Sequence, residues 1–185
     1  MNLDFRKIFR ELIEIKPEIR PYIAEVEVYL WLRYVKGWEL EKPEKFNFDF
    51  KIKGKEVYIE VKTGYNTLTN NQILQLYENL DVIEGMYIAT NGVDYPGYEP
   101  REEFETLLGT FTLYKLGIKE YLKRENRLFH AICGSYSMQN YYVAFGPEKY
   151  KEKIRGIFQD LMDKELIDFE YTRKHEWWLL NNGDT

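Results

Sequence analysis

The sequence predicts an α/β fold built on a mixed central sheet, and three observations carry that prediction. Phe46, Phe48, Phe50 and Ile52 alternate with Asn47, Asp49, Lys51 and Lys53, and Val57, Ile59 and Val61 then alternate with Tyr58, Glu60 and Lys62. Strict period-two patterning in two consecutive runs marks half-buried strands. Gly54-Lys55 between the runs suits a two-residue type II′ hairpin loop with a positive φ at its first position. A helical pattern from Asn71 to Ile83 then separates the hairpin from the short apolar run MYIAT, Met86 to Thr90. A helical crossover between strands of one sheet makes their pairing parallel.

Taken in order, Leu3 to Ile15 reads as a first helix, with Phe5, Ile8, Phe9, Leu12 and Ile13 on its apolar side and Pro17 as its stop. Pro21 opens a second helix, Tyr22 to Lys36, capped by Gly37. This helix is mostly apolar yet holds Glu25 and Glu27, and a carboxylate on a buried helix needs a partner. Glu25 falls on the stripe of Val28, Leu32 and Val35 and is favoured over Glu27 to face the sheet. A solvated position or a salt bridge to Arg33 is the plainer alternative for either. Trp38 to Leu40 reads as an edge strand leading into the hairpin.

The two-residue loop fixes the hairpin register. Lys51 faces Tyr58, Phe50 faces Ile59 and Asp49 faces Glu60, so Asn47, Asp49, Glu60 and Lys62 share one face. Directly opposed residues have Cβ atoms roughly 4.5–5.5 Å apart. Two carboxylates at that spacing repel, and a hard divalent cation with oxygen ligands turns the repulsion into a site. Lys62 on the same face stabilises developing negative charge or orients a water. The ordinary alternative is a solvated face with cross-strand ion pairs, which is the reading for Lys51, Lys53, Lys55 and Glu56.

Asp49 followed on the next strand by Glu60-Val61-Lys62 resembles the PD-(D/E)xK nuclease superfamily, the restriction-endonuclease-like fold. Phe48 stands where the family often has Pro. Gln72, at the start of the following helix, matches the Gln or Lys that many members carry there. Leu76 lies four residues on, so the Gln-xxx-Tyr variant is not matched. The resemblance implies an αβββαβ core. It also implies Mg²⁺ or Mn²⁺ held by Glu25, Asp49, Glu60 and the Val61 backbone carbonyl. Asp49, Glu60, Lys62 and Gln72 would be catalytic and DNA the partner and substrate. The alternative is a catalytically inactive nuclease fold serving as a binding or scaffold module.

After the loop VDYPGYEP, Glu102 to Leu108 and Lys115 to Arg124 read as helices. Lys115, Lys119 and Lys123 at i, i+4, i+8 would form one basic stripe able to contact phosphates, or an ordinary solvated face. Leu128 to Gly134 and Asn140 to Phe145 read as further strands, with His130 in the core. Pro147 starts a last helix through Leu166. The following IDFEY and WWLL read as a hairpin with Arg173, Lys174 and His175 at its tip, similar to the wing of a winged-helix module. That hairpin either makes a homodimer or packs on the main sheet through Trp177 and Trp178. The expected domains are therefore a nuclease-like unit, 1–146, and a helix–hairpin extension, 147–185.

Composition bounds the rest. With 44% hydrophobic and 31% charged residues the chain is globular. A single cysteine, Cys133, excludes an internal disulfide, a zinc–cysteine cluster and an iron–sulfur cluster held by several cysteines. The net charge of −5 argues against holding nucleic acid by bulk charge alone. No apolar run approaches the ~18–20 residues of a membrane span. The charged amphipathic N-terminus is no signal peptide, so a cytoplasmic protein is expected.

Overall fold

A computed structural model of the chain describes residues 3–168, 170–171 and 173–174. The architecture is mixed α/β, with a six-stranded mixed sheet and seven helices among the described residues. The chain forms two compact units, one of residues 1–68 and 79–117, the other of residues 69–78 and 118–185.

The first unit holds the sheet. Helix α1, Phe5–Ile15, is capped by Asp4, whose carboxylate accepts from the Arg6 and Lys7 N–H groups. Pro17–Ile19 makes one 3₁₀ turn into α2, Arg20–Leu30, which continues as a π turn over Trp31–Val35. The π turn, closed by the Lys36 N–H on the Trp31 carbonyl, breaks the four-residue spacing. Val35 therefore leaves the expected stripe and is exposed, while Ala24, Val28 and Leu32 are fully buried.

The strands run in the order β1-β2-β3-β4-β6-β5. They are β1 Leu40–Glu41, β2 Phe50–Ile52, β3 Val57–Lys62, β4 Gly85–Thr90, β5 Arg101–Thr106 and β6 Gly109–Leu116. The β2–β3 register is Phe50 opposite Ile59 and Lys51 opposite Tyr58, as the alternation requires. The turn differs in one detail. The Lys55 N–H bonds the Ile52 carbonyl, so Gly54, at φ +76°, is the second central residue of the turn and not the first. β3 and β4 are parallel, from Val57–Gly85 to Lys62–Thr90. One face of the sheet packs Ile59, Val61, Ala89, Phe104, Phe111 and Leu113 against Ala24, Val28 and Leu32 of α2.

Glu102 to Leu108 is no helix. It is β5 and the turn into β6, paired from Arg101–Tyr114 to Thr106–Gly109. Glu and Leu favour helices, but Phe104, Phe111 and Leu113 fall at strand spacing on the core face, and packing overrides propensity. Gly109, at φ +100°, supplies the turn.

The second unit is helical. It contains α3 Asn70–Glu78, α4 Ile118–Glu125, α5 Leu128–Cys133, α6 Tyr136–Phe145 and α7 Pro147–Asp163. The two runs expected as extra strands are therefore helices α5 and α6. Leu128, Phe129, Ala131 and Ile132 are buried at helical spacing, and the Ser135 hydroxyl caps α6 by accepting from the Met138 N–H. Short apolar runs carry no period that separates the two states. His130 is consequently exposed on α5, not a core residue. Phe129 stacks on Phe158 of α7 at 4.8 Å, and the Tyr77 hydroxyl donates to Asp160 at 2.7 Å. Glu170, Tyr171, Arg173 and Lys174 are helical, capped by Asp168, which accepts from the Tyr171 N–H at 2.7 Å. IDFEY is thus not the first strand of a hairpin. His175, Trp177 and Trp178 lie outside the described residues.

Candidate active site

The hairpin brings Asp49 and Glu60 together through the backbone of each other's strand. Asp49 donates its N–H to Glu60 Oε2 at 3.2 Å, and Val61 donates its N–H to Asp49 Oδ2 at 2.7 Å. Glu60 is only 6% exposed, and its neighbour on β4 is the fully buried Ile88. The site therefore has an apolar wall, which strengthens every charge interaction in it. Lys62 Nζ stands 3.2 Å from Glu60 Oε1, with both side chains largely buried.

The third carboxylate is Glu25 of α2. Its acid group is pushed up to about 6, first by desolvation, then by the Asp49 charge and by hydrogen bonding to Asp49. Asp49 is also raised, chiefly by burial, while the Val61 N–H, Lys62 and its two carboxyl neighbours pull it back down. Glu25 thus bonds to the Asp49 carboxylate. Glu27 has a different task. Both its oxygens accept from the Leu107 N–H, at 2.9 and 3.1 Å, and tie α2 to the β5–β6 turn.

The ends of β3 and β4 are pinned beside Lys62. Gly64 donates its N–H to Asn91 Oδ1 at 2.7 Å, and Asn91 Nδ2 donates to the Leu108 carbonyl at 3.0 Å. Gly92 is required here, because a Cβ at that position would sit far inside contact distance of the Gly64 carbonyl. Asn91 and Gly92 were readable in the sequence only as a turn. Lys51, as expected, makes an ordinary cross-strand pair with Glu41 at 2.6 Å.

Gln72 lies in the helical unit and is 3% exposed. Its Oε1 accepts from the Thr69 N–H at 3.0 Å, and its own N–H donates to Thr69 Oγ1 at 3.2 Å. This reciprocal pair is a capping box that starts α3. The lysine stripe does not form as expected. Lys115 is in strand β6, whereas Lys119 and Lys123 are on α4. A strand and a helix do not share one i, i+4 row. Lys123 instead lines a cleft of about 760 Å³ in the helical unit, with Arg124, Arg173 and Lys174. The cleft also holds Asp168, Glu170 and Tyr171. Sequence reading picked out Arg173 and Lys174 as basic but placed them on a hairpin tip.

Comparison with protein families, curated proteins and solved structures finds no match to this chain.

Glu25, Asp49, Glu60 and the Val61 carbonyl, the ligands expected from the sequence, offer only oxygen atoms, a chemistry that suits a hard cation and not zinc. Among the described residues, no three or more His, Cys, Asp and Glu side chains stand at ready-made cation spacing. The carboxylates are engaged instead with backbone N–H groups and with Lys62. By donor chemistry the set fits a divalent ion. No helix among the described residues is long and apolar enough to cross a membrane.

Proposed function

We propose that this protein is a divalent-metal-dependent phosphodiesterase acting on DNA, with a PD-(D/E)xK-type site and a restriction-endonuclease-like core. The carrying observation is the junction of Asp49, Glu60 and Lys62 with Glu25 of a separate helix. Opposed carboxylates in a half-buried hairpin cost stability unless they serve a site.

Mg²⁺ or Mn²⁺, when bound, supplies Lewis acidity toward a phosphoryl oxygen. Glu25, Asp49, Glu60 and the Val61 carbonyl would hold it. The Val61 N–H fixes the Asp49 carboxylate, so one of its oxygens keeps a defined direction. Lys62, held by Glu60, directs an ammonium donor toward the attacking water or a phosphate oxygen. The buried setting of Glu60 keeps these charges effective.

A second reading is a binding or scaffold module that does not cleave DNA. It is favoured by the internal satisfaction of the carboxylates, each of which has a protein partner.

The deciding experiment is cleavage of labelled linear duplex, single-stranded, flap and four-way-junction DNA with Mg²⁺, Mn²⁺ or EDTA. Metal-dependent cutting that falls at least about 100-fold in both Glu60→Gln and Lys62→Ala supports the enzyme. No cutting by the wild type, together with no heat of metal binding in calorimetry, supports the binding module.

A further inference from the structure

Tyr65 is the most exposed of the large hydrophobic side chains among the described residues, at 92%. Single exposed aromatics are common on protein surfaces. Two features set this one apart, its place and the way its backbone is held. It lies three positions after Lys62, the last residue of β3. Three residues span at most about 11 Å, which is about three nucleotide steps of a stacked strand. The turn that carries it, residues 63–66, is closed by the Asn66 N–H on the Thr63 carbonyl at 3.4 Å and by Asn66 Nδ2 on the same carbonyl at 2.8 Å. Gly64 takes the first central position at φ +60° and donates its N–H to Asn91 Oδ1 at 2.7 Å. Gly92 packs on the Gly64 backbone with no room for a methyl group. A turn tied to two strand ends thus presents the ring to solvent.

The chemistry around the turn suits a polyanion. Residues 61–77 contain no Asp or Glu, although acids make up 31 of the 185 residues of the chain. Lys62 is the one charge there, and Thr63, Asn66 and Thr67 are neutral hydrogen-bonding groups. On the loop that pins the turn, residues 91–98, the one acid is Asp94, which accepts from the Tyr114 hydroxyl at 2.8 Å. The other nearby acids are Glu25, Asp49 and Glu60, the groups proposed to hold the cation. A carboxylate beside the ring would repel a phosphate, whereas a neutral polar turn hydrogen-bonds one.

We propose that Tyr65 is a base-stacking residue, which makes the preferred substrate DNA with unpaired nucleotides, single-stranded or flapped, over continuous duplex. Its ring covers the face of a base on the strand whose phosphate lies at Lys62. The inference rests on the reading of this site as one for DNA, and it names the substrate class. In a continuous duplex each base already has a neighbour on both faces, and exposing one costs unstacking. An unpaired base offers a face at little cost, and every base has one, so the contact is indifferent to sequence.

The test is anisotropy of the full chain, with Ca²⁺ in place of Mg²⁺, on a labelled oligothymidylate of about 20 nucleotides and on a blunt duplex of the same length. Tyr65→Ala should weaken single-strand binding roughly 5- to 100-fold and leave duplex binding within about twofold. Tyr65→Phe should bind like the wild type, and Tyr65→Leu like Tyr65→Ala, because leucine is apolar but has no ring to stack. A single 2-aminopurine in the oligonucleotide should be dimmer when bound to the wild type than to Tyr65→Leu. Equal losses on single strand and duplex, a Tyr65→Leu variant that binds like the wild type, or a wild type that binds no single strand overturns the proposal. Cleavage is scored separately with Mg²⁺. Metal-dependent cutting that ignores Tyr65 overturns the stacking role and leaves the nuclease, whereas Tyr65-dependent binding without cutting supports stacking and removes the nuclease.

Discussion

Glu25 and Asp49 are both raised by burial, Glu25 to about 6. A carboxyl whose pKa rises on folding stabilises the fold while protonated. Its contribution is complete below the ordinary carboxylate range and is lost as pH rises through about 6. Thermal unfolding in EDTA should therefore show a midpoint that falls between about pH 5 and pH 7.5, and Glu25→Gln should remove much of that fall. Cation binding needs the same group deprotonated, so affinity measured by calorimetry should rise across the same window. A midpoint independent of pH would separate Glu25 from Asp49. Cys133 is no counterpart to this chemistry, because burial pushes its thiol up to about 11 and leaves little thiolate at neutral pH.

Gln72 is the residue where structure gives the sequence motif a second meaning. Its exchange of hydrogen bonds with Thr69 starts α3. Thr69→Ala should cost roughly 1 kcal/mol in chemical denaturation. Gln72→Glu keeps the capping geometry that Gln72→Ala loses. If Gln72 only caps, cleavage per folded molecule is equal in the two variants, and only stability differs. The Thr-x-x-Gln spacing was present in the sequence, and it is as good a signal for a cap as for a catalytic residue.

Among the elements, the hairpin was legible because two constraints agreed. Alternation assigned faces and the short turn assigned register, so Phe50 and Ile59 met as expected even though Gly54 took the other turn position. Where only one signal existed, it misled. The Glu- and Leu-rich stretch from Glu102 resembles a helix in composition, and its strand period shows only through Phe104, Phe111 and Leu113. Leu128 to Cys133 is too short to show any period and has no side-chain cap at its start, whereas Ser135 caps only the following helix, α6. At the candidate site, Asp49, Glu60 and Lys62 follow from register alone. The contact of Glu25 with Asp49 depends on how a helix packs on a sheet, which a single sequence does not encode locally. Gly92 is the element-scale test of the pinned strand ends. Gly92→Ala should destabilise by roughly 1–3 kcal/mol in urea, because backbone must move to admit the methyl group. An unchanged midpoint would mean that the Gly64 and Asn91 turns separate freely.

On the scale of the whole molecule, the net charge of −5 opposes the proposed phosphate-rich substrate. The cleft with Lys123, Arg124, Arg173 and Lys174 carries four cations against the two acids Asp168 and Glu170, a local excess of two. A cleft with that small local excess should add only a shallow salt dependence to the proposed DNA binding. Arg173→Ala with Lys123→Ala should then lower the slope of log affinity against log salt by up to about two. Unchanged slopes in anisotropy titrations would remove the cleft from the DNA path. The partition into a sheet unit and a helical unit escapes a linear reading. Residues 69–78 interrupt one unit to serve the other, and no change in composition marks either junction.

Glu27 and Glu25 are two residues apart on α2 and hold opposite ends of one mechanical chain. Glu27 grips the tip of the β5–β6 ribbon through the Leu107 N–H, and Glu25 meets Asp49. A ligand that pulled on the ribbon tip would load α2 along its length and tilt the carboxylate at Glu25. The outer ribbon is in this sense a lever arm, and cutting its cable with Glu27→Ala would slacken the Glu25 carboxylate, which the mutation never touches.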